Sequence, residues 1–162
     1  MPISDYIKGL RTRIGHDLVL NPTVAAVIRN DASEVLIHQR SDNRAWEIPA
    51  GAIDPDEMPA QALIREVYEE TGLKVRPLRV LGVFGGFTVT HPNGDKVQPH
   101  CTLFECEVMG GTLEPRDGEA LAFRYVVPAE VPRQFGSPPD IFELDFAGGY
   151  FAWDERWLRM LD

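Results

Sequence analysis

The fold class predicted for this chain is α/β (α+β), a single sandwich domain spanning residues 1–162 and built on a mixed β-sheet. Segments with helical spacing of apolar residues fall early, centrally and late, and β-branched or aromatic runs lie between them. The length of 162 residues suits one compact core and is short for two. An apolar fraction of 44% and a charged fraction of 25% are those of an ordinary globular protein.

The first helix is expected within residues 1–20, in "ISDYIKGLRTRIGHDL". Ser4 supplies a capping hydroxyl, and Ile3, Ile7, Leu10 and Ile14 share one face with Lys8, Arg11 and Arg13 between them. Pro22 is read as the end of that element. "TVAAVIRN" and "EVLIHQR" then read as strands joined by polar "NDAS", and "AWEIPAG" as one short strand. A central helix runs from about Met58 to Thr71, with Pro59 in its first turn and Gly72 as its left-handed cap. "KVRPLRVLGVFGGFTVT" is strand-like up to a Gly85-Gly86 break, and "HPNGD" is a turn. "KVQPHCTLFECEVMGG" and "EALAFRYVVP" are further strands. The tail, 137–162, is read as helical, with Asp154 as a cap and Trp157, Leu158 and Leu161 buried.

The net charge of −9 and the lack of a basic run disfavour binding to duplex nucleic acid through its phosphates. Cys101 and Cys106 are five apart in a strand, so they face opposite sides, and no Cys/His cluster suggests structural zinc or a disulfide framework. No apolar run approaches the ~20 residues of a membrane span, and no signal-peptide core is seen. A cytoplasmic protein is expected.

Much of the negative charge is concentrated in "GAIDPDEMPAQALIREVYEETGL", residues 51–73. At about 100° per residue, Ala60, Leu63, Ile64 and Val67 form an apolar stripe. Glu66, Glu69 and Glu70 share the adjacent arc with Ala62, which is small. Arg65 is the only cation in the helix, and like charges so placed repel. An oxygen-rich cluster of this kind suits a hard divalent cation, Mg2+ above all, with Mn2+ as the substitute.

This stretch resembles the Nudix box, in which G, five residues, E, seven residues and R-E-U-x-E-E-x-G-U follow one another, U being aliphatic. Gly51, Glu57, Arg65, Glu66, Val67, Glu69, Glu70, Gly72 and Leu73 occupy every specified position. Arg40, Trp46 and Pro49 precede it, and "HPNGDKVQ" and "DGEALAFRYVVPAEVP" follow it, as in bacterial members of the family. Two positions depart from the common pattern: Ala50 replaces a usual glycine, and "DPDE" replaces Glu-x-Gly-Glu. The resemblance implies an αβα sandwich and Mg2+-dependent hydrolysis of a nucleoside diphosphate linked to a group X, such as a nucleoside triphosphate or ADP-ribose. It implies Glu66, Glu69, Glu70 and the Gly51 carbonyl as metal ligands, and an ion pair between Glu57 and Arg65 that pins the loop of the box to its helix. A small nucleotide is then the partner, and the frequency of dimers in the family suggests a homodimer.

Outside the box, Glu119 resembles an extra acidic ligand of the family. Glu119 and Glu66 are alternative general bases, with Glu114 and Asp117 as weaker choices. Arg40 has the planar fork that suits phosphate oxygens. Trp46, Phe84, Phe87 and Phe104 read as packing residues, and His38, His91 and His100 as structural. A catalytically silent nucleotide- or RNA-binding regulator is the alternative function, disfavoured by the intact acids. Isoprenoid isomerase chemistry finds no match at Cys101 or Cys106.

Overall fold

A computed structural model of the chain describes residues 4–116, 118–133 and 140–151. Helix α1, Asp5–Ile14, begins where the Ser4 hydroxyl accepts the Ile7 N–H at 3.3 Å. It buries no residue. Polar contacts tie it and the residues just after it to residues 95 and 96: Arg11 donates to the Lys96 carbonyl at 2.9 Å, and His16 meets Asp95 at 2.7 Å.

Strand β1 is Val19–Ile28, so Pro22 lies inside a strand and ends no helix. The Ile53 N–H donates to the Pro22 carbonyl, so the proline's missing donor faces the side where pairing with the next strand has just stopped. Strand β2 is Val35–Arg40. The expected single strand over "AWEIPAG" is instead two, β3 (Trp46–Glu47) and β4 (Ala50–Ala52), in different sheets. Pro49 cannot donate to a ladder, and the chain crosses between the sheets there.

Helix α2, Pro59–Thr71, is followed by β5 (Leu73–Gly85), β6 (Val89–Thr90), β7 (Lys96–Gly111), β8 (Ala120–Val126) and β9 (Tyr150–Phe151). One sheet has the order β4-β1-β7-β5-β9 with β6 on β7, and the other has β3-β2-β8. The first sheet is mixed: β1 pairs parallel with β7 and β5 with β9, whereas β4 runs antiparallel to β1 and β5 antiparallel to β7. The expected mixed sheet is therefore present, together with a second, antiparallel one. They lie side by side, bridged at Arg29 and Val35.

Alternation along the strands fills two core layers. Val24, Ala26 and Ile28 of β1 and Leu36 of β2 pack with Ala62, Leu63 and Val67 of α2. Ala25, Val27, Val35 and Ile37 pack on the other side with Val131, Ile141 and Phe142. Arg29 anchors that second cover by donating to the Phe142 carbonyl at 2.6 Å. Cys101 and Cys106 fall in opposite layers, as their odd spacing requires, and burial pushes both thiols up to about 12. Within the expected helical tail, residues 140–145 form turns and 146–149 run on to β9 without regular structure; Asp154, Trp157, Leu158 and Leu161 lie outside the described residues. Among the described residues, no helix is long and apolar enough to cross a membrane.

Candidate active site

The box forms β4, a loop and α2. Gln61 accepts the Met58 N–H through its side-chain oxygen at 3.1 Å, which sets the first turn behind Pro59. Gly72, at φ 72°, closes the helix by donating to the Tyr68 carbonyl. The buried residues of α2 are Ala62, Leu63, Glu66, Val67, Glu70 and Thr71. The apolar stripe expected from spacing is thus shifted. Ile64 is 40% exposed, while Glu66 and Glu70 are each only 3% exposed. The cause is β4: α2 packs against it as well as against β1 and β5, so the sheet covers the acidic arc along with the apolar one.

Each carboxylate meets a specific piece of backbone or a cation. The Glu66 side chain fills the space where a Cβ on Gly51 would sit, so only glycine at 51 lets the acid approach. Glu70 accepts the Ala50 N–H at 3.1 Å. The alanine in place of the usual second glycine therefore leaves this backbone approach intact. Glu69 is outside the buried arc, with its side chain about half exposed.

Arg65 joins these parts. Its Nε and Nη2 donate to the two Glu57 oxygens at 2.7 and 2.8 Å, and Nη2 also donates to the Ala52 carbonyl at 3.1 Å. Its Nη1 donates to Glu66 at 2.8 Å and to Glu69 at 3.3 Å. The bidentate fork thus binds loop, strand and helix together. Glu57 in turn accepts the Asp54 N–H. Asp56 takes φ 68°, the left-handed conformation that a glycine at this position would adopt without strain. Burial raises the Glu66 carboxyl to about 7 against the opposing pull of Arg65. The Arg65 hydrogen bonds keep Glu57 below its ordinary value despite its own desolvation.

A cleft of about 240 Å3 opens beside the helix, lined by His38, Arg40, Ser41, Asp42, Glu47, Glu70 and Glu119. It lies where the end of β2, the start of β8 and α2 meet, and the Ser41 N–H donates to the Glu119 carbonyl at 2.7 Å. Glu119 and Glu70 thus share one cavity although 49 positions separate them by residue number. Arg40 is also there, its guanidinium held by Asp42 at 2.8 Å and Glu47 at 2.9 Å. Trp46 packs on the core with Arg124 stacked 4.2 Å from its ring centroid. Phe84 and Phe104 are buried core residues, and Phe87 is half-buried. Glu114 is exposed and pairs with Arg116; Asp117 lies outside the described residues.

Two residues of the cleft escape a linear reading. His38 and Glu47 are directly paired across β2 and β3, and His38 is 2% exposed. The usable signal was the i, i+2 spacing of His38 and Arg40, which puts both on one face of a strand.

The donor set fits a hard divalent cation in its chemistry. It consists of the oxygens of Glu66, Glu69, Glu70 and the Gly51 carbonyl, with Glu66 nested against Gly51. Among the described residues, no three His, Cys, Asp or Glu side chains are gathered closely enough to enclose an ion as they stand. Glu66 and Glu69 are instead drawn to Arg65, and Glu70 to the Ala50 N–H.

Comparison with known proteins agrees with the box and the fold. The NUDIX domain family matches residues 19–144. A "MutT-like protein" of Streptomyces ambofaciens is 32% identical over 127 residues, 78% of this chain and 77% of its own. An "RNA pyrophosphohydrolase" of Pseudomonas fluorescens (strain SBW25) is 41% identical over 66 residues, 41% of this chain and 42% of its own. The crystal structure of a MutT protein from Methanosarcina mazei Go1 superposes with a TM-score of 0.60 at 26% identity, covering 78% of this chain and 93% of that one. With a complete box, the αβα sandwich architecture and a family match over most of its length, this chain belongs to the Nudix family and is a hydrolase of phosphorus-containing anhydrides.

Proposed function

We propose that the chain hydrolyses the diphosphate linkage of a nucleoside diphosphate joined to a further group, a nucleoside triphosphate or a nucleotide sugar such as ADP-ribose, with Mg2+. The observation that carries this reading is the placement of Glu66 and Glu70, one turn apart on α2 and buried against the backbone of Gly51 and Ala50. A pair of desolvated carboxylates is costly unless a cation joins them, and adjacent phosphates supply the remaining oxygens such a cation needs. Bound there, the cation would neutralise phosphate charge and acidify a water.

The residues of the chain take distinct parts. Glu66, Glu69, Glu70 and the Gly51 carbonyl hold the ion. Arg65 and Glu57 keep loop and helix in register, so their part is positional. Glu119, on the cleft wall shared with Glu70, takes the proton from the attacking water. Arg40 meets a substrate phosphate by exchanging Asp42 for it; both residues line the cleft. The net charge of −9 opposes long nucleic acids and favours small, Mg2+-complexed nucleotides, which counts against an RNA substrate such as the name of the Pseudomonas relative states.

The test is a hydrolysis screen with Mg2+ over nucleoside triphosphates, nucleotide sugars, dinucleoside polyphosphates, 5′-triphosphorylated RNA and simple monoesters. A diphosphate-containing nucleotide should be cleaved to a nucleoside monophosphate. In 18O-labelled water the label should enter a phosphate product. Label on a sugar carbon, or turnover of monoesters alone, would overturn the mechanism.

A further inference from the structure

Arg40 divides its planar guanidinium between two acids of the cleft. The edge formed by Nε and Nη2 meets the two Asp42 oxygens at 2.8 and 2.5 Å. Nη1 donates separately to Glu47 Oε1 at 2.9 Å. These acids differ in how firmly they are placed. The Asp42 side chain is 57% exposed and belongs to the turn after β2, whereas that of Glu47 is 18% exposed. Glu47 lies on β3, paired with His38 across the ladder and diagonal to Arg40. Buried His38 adds a second contact, its Nε2 lying 3.4 Å from the same Glu47 oxygen. Burial opposes a charge on Glu47, yet His38 and Arg40 together keep its carboxyl below the ordinary value. Glu47 is thus an ionised acceptor held by two neighbours.

A phosphate entering the cleft is best met by the Nε and Nη2 donors, because two parallel N–H groups match two phosphate oxygens. It can take that edge from Asp42, whose exposed carboxylate then turns to water. Nη1 lies off that edge and stays on Glu47. With this corner of the guanidinium fixed, the plane and reach of the free edge are set before the phosphate arrives. Without Glu47, the arginine head would be ordered only on binding, and affinity would fall by that cost.

We propose that Glu47 is a positioning residue that anchors Nη1 of Arg40, so that the Nε–Nη2 edge is presented to a substrate phosphate. The inference rests on Arg40 as a phosphate contact, as in the reading above. Its consequence is opposite in sign to that of simple electrostatics. An acid lining a phosphate cleft repels its ligand, so removing a bystander carboxylate should tighten binding. Removing an anchor should weaken it.

The probe is α,β-methylene-ADP with Mg2+, a nucleoside diphosphate whose bridge water cannot hydrolyse, titrated by calorimetry. Circular dichroism and thermal melting confirm that each variant folds. Glu47→Ala is expected to bind the probe about tenfold more weakly than wild type. Arg40→Ala should also bind weakly, and adding Glu47→Ala to it should cause no further loss, because no guanidinium remains to be anchored. Glu47→Thr, which suits a strand but is too short to reach Nη1, should reproduce both results and replaces the alanine variant if that fails to fold. Unchanged or tighter binding on loss of Glu47, or an equal loss with and without Arg40, would overturn the positioning role alone. Wild-type affinity in Arg40→Ala, or no binding by the wild type, would overturn the phosphate reading of Arg40 and the inference with it.

Discussion

Glu66→Gln should make the metal-free protein more stable at pH 8 and leave it nearly unchanged near pH 4.5. The reason is the buried carboxyl, which titrates near 7 in the fold against an ordinary value of 4.5. Between these values the folded protein retains a proton that the unfolded chain has released. Stability is therefore fully present below 4.5 and is lost as pH rises through 7. The full difference corresponds to about 3 kcal/mol, at ~1.4 kcal/mol per pH unit. Because that value already includes the attraction of Arg65, it is the upper bound of the gain from the neutral amide. Urea denaturation in a chelator at pH 4.5, 6, 7 and 8 measures it, and the wild-type-minus-variant difference removes the titration of all other groups. Addition of Mg2+ at pH 8 should reverse the order, because only the wild type gains binding energy at Glu66. A difference that stays constant from pH 4.5 to 8 would refute the reasoning, since the charge on Glu66 would then carry no burial cost.

Arg65→Ala should destabilise the fold by about 3 kcal/mol, because it leaves the buried Glu66 without its cation and frees the loop from Glu57. The activity loss should fall on kcat; a change confined to KM would make Arg65 a direct binding residue. Asp42→Asn should lower KM severalfold by releasing Arg40 from its nearest competitor for phosphate, and an unchanged KM would remove Arg40 from substrate binding. At Asp56, the left-handed backbone predicts that Asp56→Gly stays within about 0.5 kcal/mol of wild type while Asp56→Val costs over ~1 kcal/mol, measured by denaturation.

The box could be read without any structure because its constraints are local. A helix fixes the angle between residues three and four apart, so Glu66, Glu69 and Glu70 had to fall on neighbouring lines. Pro59 and Gly72 marked the ends, and the Glu57–Arg65 pair needed only the loop and helix that the family resemblance supplied. The odd spacing of Cys101 and Cys106 likewise decided their faces. Which way the helix rolled was not local. Spacing placed Ile64 inside and treated the acids as flanking, but packing against β4 as well as β1 sank Glu66 and Glu70 and left Ile64 at the rim. The crossing at Pro49 was similarly hidden, since a strand run does not state which sheet each half will join. The cleft depends on long-range pairing: β2 with β8 brings Glu119 to Arg40, and β2 with β3 sets His38 beside Glu47. Pair contacts between distant segments come from the way two sheets share a core, and local propensity carries no record of that choice. Local order along the chain was therefore enough to specify the acids, their spacing and the family. Tertiary structure alone decided which of them lost water and which partners, His38 among them, came to stand against them.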